Sequence, residues 1–276
     1  MHLQEYLSRI AVVIDDFRPT LEVLSAIMVG HMNYIPFENL SIVLGEKIEF
    51  DDTKIFEKLV SEKRGGYCFE QNALLKSALD ELGFVVEWLL CRVRWGKVPE
   101  SFEAGSTFTH VALKVTIPST NEVYLADVGF AGTNSVAPVE MTVGDTLQTL
   151  PEGVFRVTTS ASGSYSQLEN QDRDDPSIFR PLYKWCNSVN TNFADLEAAN
   201  WFSCTFPKAR FTSQFFCSKI CDNERCYILN SQYVRRNMAG AVVHKETIDN
   251  ERMLELVSTV FTISLSSTSG LLSKYL

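Results

Sequence analysis

The sequence predicts an α+β chain with a helical first third, short strands through the middle, and a last third that alternates before closing in a helix. Three observations predict this. Apolar residues recur at helical spacing in four stretches before residue 84. From Phe84 onward, β-branched and aromatic runs are broken at short intervals by Gly, Ser and Asn. Near the end, Asp249 to Phe261 sets Met253, Leu254, Val257, Val260 and Phe261 on one helical side. No internal repeat or low-complexity tract interrupts the pattern.

Taken in order, Leu3 to Ile14 is periodic and ends before Arg18-Pro19. Thr20 is placed to cap a helix over Leu21 to Asn33, with Leu21, Leu24, Ile27 and Met28 on one face. Pro36 pushes Ile35 out of the α region, so Phe37 and Glu38 are expected on a loop free to face a cleft. Asp51-Asp52-Thr53 caps a helix from Lys54 to Lys63 with Ile55, Phe56, Leu59 and Val60 apolar. Gly65 and Gly66, able to take positive φ, suit a sharp turn. The helix after it carries Phe69, Ala73, Leu74, Ala78, Leu79 and Leu82 on one face and stops at Gly83. Residues 1–84 therefore read as a helical bundle.

Strands are predicted over Phe84 to Trp95 and near 108–117, 122–129 and 153–159, a spacing that suits a small barrel or open sheet, with 160–164 as a hairpin tip. Further strands fall near Phe211 to Ile220, Cys226 to Ser231 and Tyr233 to His244.

A chain of 276 residues buries ample core in one large or two to three small domains. No long apolar run and no secretory signal is found, so the expectation is a protein that neither spans a membrane nor is secreted. Seven cysteines, an odd number, suit reduced thiols in a cytoplasm. A net charge of -9 argues against a nucleic-acid partner.

The chemistry centres on Cys68, which sits where the turn at Gly65-Gly66 hands over to a helix. Free N–H groups and the positive dipole end favour a thiolate there, and Arg64 lies just upstream. The plainer reading is a buried structural cysteine. A nucleophilic thiol needs a base and an orienting group, and the chain has four histidines. His2 lies at the terminus, His244 at a strand end, and His31 near a helix C-terminus that a cation would complement. His110 opens a strand after a Gly- and Ser-containing loop and can reach into a cleft. Pairing Val115 to Ile117 with Val123 to Leu125 across the turn at Ser119-Thr120-Asn121 brings Asp127 opposite the start of that strand. A carboxylate in an apolar strand calls for a partner. Asp127 either orients His110 or accepts backbone hydrogen bonds at the strand end.

At this point the chain resembles the arylamine N-acetyltransferases. Ile35-Pro36-Phe37-Glu38-Asn39-Leu40 is similar to the family's N-terminal motif, and Arg64-Gly65-Gly66-Tyr67-Cys68-Phe69-Glu70-Gln71-Asn72 to the segment bearing its nucleophile. Thr109-His110-Val111-Ala112-Leu113 and Ala126-Asp127-Val128-Gly129-Phe130 are similar to the segments carrying its histidine and aspartate. Asp195 to Phe202 is similar to the entry into its third domain. The chain departs from the pattern at Ala131-Gly132-Thr133, where many bacterial members carry two glycines, and at Phe206-Pro207, where many carry a histidine before the proline.

The resemblance implies an N-terminal helical bundle over 1–84, a central β-barrel over 85–194 and a C-terminal α/β lid over 195–276, with a cysteine-protease-like Cys-His-Asp core between the first two. It implies ping-pong acetyl transfer through Cys68, His110 and Asp127. Acetyl-CoA would serve as co-substrate with no tightly bound cofactor, and arylamines, hydrazines or N-hydroxyarylamines as acceptors. Acidic net charge does not conflict with CoA, whose phosphates need only a local basic patch.

Candidates for substrate and CoA contacts are Phe37, Phe69 and Phe130 as walls, and Gly105, Ser106, Thr107 and Phe108 as an anion-binding loop. Arg92, Arg94 and Lys97 are either solvated strand residues or part of a CoA-facing patch, and the three phenylalanines could be ordinary core. Glu38 and Arg64 form a candidate supporting ion pair. Cys217, Cys221, Cys226 and His244 lack the paired knuckles of a structural zinc site, so no metal is assigned. Two other readings stay open. One is a cysteine hydrolase or transglutaminase-like enzyme using the same triad; the other is a silent binding protein that kept the fold.

Overall fold

The computed structural model describes residues 2–95, 107–132, 135–141 and 146–264. Among the described residues, eight α-helices and a two-residue strand lead into and out of two antiparallel sheets, giving an α+β fold with a nearly closed eight-stranded barrel. Helix α1 spans Leu3–Arg9 and α2 spans Leu21–Tyr34, where Thr20 Oγ1 accepts from the N–H of Val23 as the cap pattern predicts. Strand β1 (Phe37–Glu38) and the short helix α3 (Leu40–Leu44) follow. Helix α4 (Asp52–Phe56) starts on Asp51, whose carboxylate accepts from the N–H groups of Thr53 and Lys54. The continuous helix expected to Lys63 instead widens into a π turn over Glu57–Ser61. That widening carries Lys58 to Glu70, with Nζ 2.7 Å from Oε1. Helix α5 (Cys68–Glu81) ends at Gly83, which takes φ +84.

The barrel is built from β2 (Val85–Val93), β3 (His110–Thr116), β4 (Val123–Ala126), β5 (Val139–Glu140), β6 (Gln148–Leu150), β7 (Gly153–Thr159), β8 (Tyr165–Gln171) and β9 (Phe179–Cys186), in the order β5-β4-β3-β2-β9-β8-β7-β6. The two edge strands are bridged by one side chain. Gln148 Nε2 donates to the Glu140 carbonyl and its Oε1 accepts from the Glu140 N–H, both at 2.8 Å, an amide replacing the missing ladder. The expected β3–β4 hairpin forms, but it pairs Val115 with Tyr124 and Thr116 with Val123, one residue away from the register that setting Val115 to Ile117 against Val123 to Leu125 would give.

Helices α6 (Phe193–Thr205) and α7 (Arg210–Ser213) lead to a second sheet of β10 (Phe216–Cys221), β11 (Glu224–Leu229), β12 (Gln232–Asn237) and β13 (Val242–Thr247), closed by α8 (Asn250–Thr259). Its outer strand is β1, with Phe37 opposite Ser218 and Glu38 opposite Cys217. The expected loop at Phe37 and Glu38 is thus a strand, because its partner lies about 180 residues away and leaves no local signal. The strand expected over Tyr233 to His244 is two strands that turn at Gly240 (φ +81).

The main core joins α1, α2 and α5 to the inner face of β3 and β4 through Tyr6, Ile27, Leu74, Leu113 and Val115. Burial of these side chains, each worth about 1.5–3 kcal/mol, fixes α5 against the start of β3. Nothing among the described residues is a helix long and apolar enough to cross a membrane.

Candidate active site

Cys68 is the first residue of α5 and is almost fully buried. The turn before it is held in place by contact. Gly66 pairs with Phe37, its carbonyl accepts from the Glu38 N–H at 3.0 Å, and its own N–H donates to the Pro36 carbonyl at 3.3 Å. Neither Gly65 nor Gly66 takes positive φ. They are required for close approach: a Cβ at Gly65 would collide with the Pro36 carbonyl, and one at Gly66 would lie 2.8 Å from a Glu70 carboxylate oxygen. Glu70 in turn accepts from the Tyr67 N–H at 3.1 Å, satisfying an amide at the helix start.

Glu38 and Arg64 come together as a buried ion pair at 3.1 Å, with Ser41 Oγ 3.5 Å from the same guanidinium nitrogen. Glu38 also accepts from the Leu40 N–H at 2.6 Å. This is not a solvated surface pair, since the Glu38 carboxylate is fully covered.

His110 begins β3 and Asp127 follows the last residue of β4, so the hairpin sets them side by side. His110 Nε2 lies 2.8 Å from Asp127 Oδ2, and both are buried. Asp127 Oδ1 accepts from Asn72 Nδ2 at 2.9 Å and from the Gly129 N–H at 2.8 Å. Asp127 makes both of the contacts weighed from the sequence: one oxygen meets the imidazole, the other the strand-end backbone and Asn72. Burial pushes the carboxyl upward in pKa, but the charge and hydrogen bond of His110, then Asn72 and Gly129, outweigh it and hold it below its ordinary value. The ring of His110 packs edge-on to Phe130 at 5.0 Å and against Tyr183 at 4.8 Å.

Cys68 and His110 line one cavity of about 830 Å³ together with Phe37, Gly129, Phe130 and Trp95. The Cys68 thiol donates to the Thr109 carbonyl at 3.7 Å, one residue from His110. The helix start does not by itself hold a thiolate, contrary to the expectation from the sequence. Burial, and then the Asp127 carboxylate, push the Cys68 thiol well above its ordinary pKa, while the N–H groups of Phe69 and Cys68 pull only partly the other way.

Of the expected contact residues, Phe37 and Phe130 line this cavity. Phe69 does not. It is wholly buried against Phe50 and Tyr67, on the inward face of α5. Gly105 and Ser106 lie outside the described residues, as do Lys97 and Thr133. Thr107 and Phe108 line a second, largely apolar cavity of about 590 Å³ with Leu90, Trp185, Val189 and Phe202. They do not line the cavity that holds Cys68, although Phe108 packs against the same apolar cluster as Cys68. Phe108 stacks on the Arg92 guanidinium at 3.8 Å, Arg94 is buried near Glu169, and neither arginine lines the cavity that holds Cys68.

Two site residues carried no assigned role from sequence. Asn72 stands four residues after Cys68, one helical turn on. It ties three segments together, donating to Asp127 and to the Val111 carbonyl and accepting from the Val128 N–H at 3.1 Å. An amide four residues from a candidate nucleophile on a helix face was the available signal. Tyr183 comes from β9, where Pro181 and the buried Lys184 break the strand signal. Gly129 has a packing reason, since a Cβ there would lie 2.7 Å from the Cys68 Cα and 2.7 Å from Asn72 Nδ2.

An N-acetyltransferase family model matches residues 20–269. An arylamine N-acetyltransferase of Mycolicibacterium smegmatis is 34% identical over 272 residues, covering 98% of this chain and 94% of the relative. The chain belongs to the arylamine N-acetyltransferase family. It is an acyltransferase, and the likeness extends to three dimensions. The solved M. smegmatis arylamine N-acetyltransferase superposes with a TM-score of 0.89 at 30% identity, covering 100% of this chain and 97% of that one. The Mycobacterium marinum arylamine N-acetyltransferase solved in complex with CoA gives 0.87 at 28% identity, covering 99% and 97%.

Proposed function

We propose that this acetyltransferase carries an acetyl group from acetyl-CoA to the nitrogen of an arylamine, arylhydrazine or N-hydroxyarylamine by a ping-pong route through acetyl-Cys68, with Cys68, His110 and Asp127 as the catalytic set. The observation that carries the reading is the His110–Asp127 pair at 2.8 Å on the wall of the cavity that also holds Cys68. The CoA complex of the M. marinum relative supports CoA as the donor's carrier.

In the first half-reaction His110 takes the Cys68 proton and the sulfur attacks the thioester carbonyl. The tetrahedral intermediate collapses, the C–S bond to CoA breaks, and His110 returns the proton to the leaving thiolate. In the second, the amine nitrogen attacks the acetyl-Cys68 carbonyl, His110 removes its proton, and the Cys68 thiol is restored. Asp127 holds the imidazole tautomer and stabilises the imidazolium. The N–H groups at the start of α5 are candidate oxyanion donors, each worth about 3 kcal/mol when aimed at the developing charge. Phe37 and Phe130 offer flat walls to an aromatic acceptor. The free, unpaired cysteines support a cytoplasmic setting.

The test mixes the protein with acetyl-CoA and follows CoA release with and without an arylamine, with mass spectrometry of the trapped protein. An acetyl adduct on Cys68 and amine-dependent steady turnover are expected. Steady CoA release without amine would instead mark a hydrolase, and the absence of any adduct would refute the covalent route.

A further inference from the structure

The cavity that holds Cys68 is also lined by arginines in a chain of net charge -9, and two of them come together at one turn, with Asp172 and Asp174 on the same cavity wall. Arg173 lies just past the end of β8, and Arg236 near the end of β12, so the two come from different sheets. The Arg173 guanidinium occupies the space where Gly240, in the β12–β13 turn, lacks a side chain. Arg236 Nη1 donates to the Gly240 carbonyl at 2.9 Å, which brings the second guanidinium to the same turn. After burial, Arg236 is the next cause that pulls the Arg173 pKa down, against the opposing Asp174 and Asp172. Asp172 is already engaged by Arg180 and by the N–H groups of Asp174 and Asp175. The third member, Arg225, is buried opposite Glu152 and also feels Arg173.

Like charges gathered at one turn cost free energy unless an anion joins them. Guanidinium pairs suit phosphate oxygens in both charge and geometry. We propose that Arg173 and Arg236, seated on Gly240, form the site that receives the phosphate end of the acyl donor, while its thioester reaches Cys68 in the same cavity. This proposal rests on the acetyl-CoA reading above, but phosphate binding can be measured apart from acyl transfer.

The test compares wild type with Arg173→Gln and Arg236→Gln, both on the cavity surface and outside the catalytic set. Binding of adenosine 3′,5′-bisphosphate is measured by calorimetry at low and high salt. Transfer rates are measured with acetyl-CoA and with S-acetylpantetheine, which lacks the adenosine bisphosphate. Each substitution is expected to weaken bisphosphate binding and to raise KM for acetyl-CoA, each by about tenfold. Turnover of S-acetylpantetheine and kcat should be unchanged. Equal loss with both donors, or bisphosphate binding unaffected in both variants, would overturn the proposal. Bisphosphate binding lost in the variants of a protein that shows no acetyl transfer at all would uphold the anion site and reject the acetyl-CoA reading instead.

Discussion

His31 gives a pH dependence whose sign and size can be worked from its surroundings. It is wholly buried between α1 and α5, with Tyr6 Oη 2.9 Å from Nδ1 and Gln71 Oε1 2.5 Å from Nε2. Gln71 spends its own amide N–H groups on the Pro36 and Gly66 carbonyls, at 2.7 and 3.1 Å. Its oxygen must therefore accept, so His31 donates from Nε2 and accepts the Tyr6 hydroxyl proton at Nδ1. That tautomer is neutral. Burial drives the pKa down to about 4, with Arg9 adding to it and the Gln71 bond opposing it. In the unfolded chain the same group titrates near 6.5. The unfolded state thus binds more protons between those values, and stability is full above about 6.5, falls as pH drops below it, and levels off near 4. The whole effect is about 3 kcal/mol, of which about 2 kcal/mol falls between pH 7 and 5, where carboxylates stay ionised. Urea unfolding of wild type and His31→Gln at both pH values isolates it, because His2, His110 and His244 are common to both proteins. Wild type should lose about 2 kcal/mol more than the variant across that window. Equal losses would refute the neutral tautomer and the hydrogen-bond chain from Tyr6 to the turn before Cys68.

Cys68→Ala should abolish transfer and leave the thermal midpoint near or above that of wild type, since it removes a buried thiol without a strong partner; measurable acetyl transfer by this variant would exclude the covalent route. Asp127→Asn should cut kcat by about 10⁴, as expected when the imidazole loses its orienting carboxylate, and steady-state kinetics with acetyl-CoA would read it. Arg64→Ala leaves the covered Glu38 carboxylate unpaired and should cost about 3–5 kcal/mol in denaturant unfolding. Gly129→Ala drives a methyl into the Cys68 backbone and the Asn72 amide, and should cost about 1–3 kcal/mol with a loss of activity beyond the loss of folded protein.

The parts of this fold that the sequence makes legible are those whose cause is local. Thr20, Asp51 and Asp249 accept from N–H groups two or three residues on, so each helix start is written within one turn of chain. Strands β8 and β9 carry the opposite lesson. Gln167, Glu169 and Lys184 are buried in them, and Glu169 meets Arg156 at 2.7 Å across the β7–β8 ladder. With polar residues satisfied inside the wall, neither strand shows the alternation that marks a half-buried sheet, and Tyr183, which packs on His110, stayed hidden with them. Asn72 and Glu38 were visible as residues, but their partners lie 55 and 26 positions away.

Cys68 shows where local inference misleads. The helix dipole and the free N–H groups at its position do favour an anion, yet the balance at the sulfur is set by burial and by Asp127, which arrives from the other side of the β3–β4 hairpin. An isolated negative sulfur beside that carboxylate is unfavourable. On the acyl-transfer route proposed above, Asp127 would oppose a lone thiolate and would stabilise the pair once the Cys68 proton has passed to the imidazole. Charge separation between Cys68 and His110 would then be a property of the assembled hairpin and helix, and not of the helix start alone.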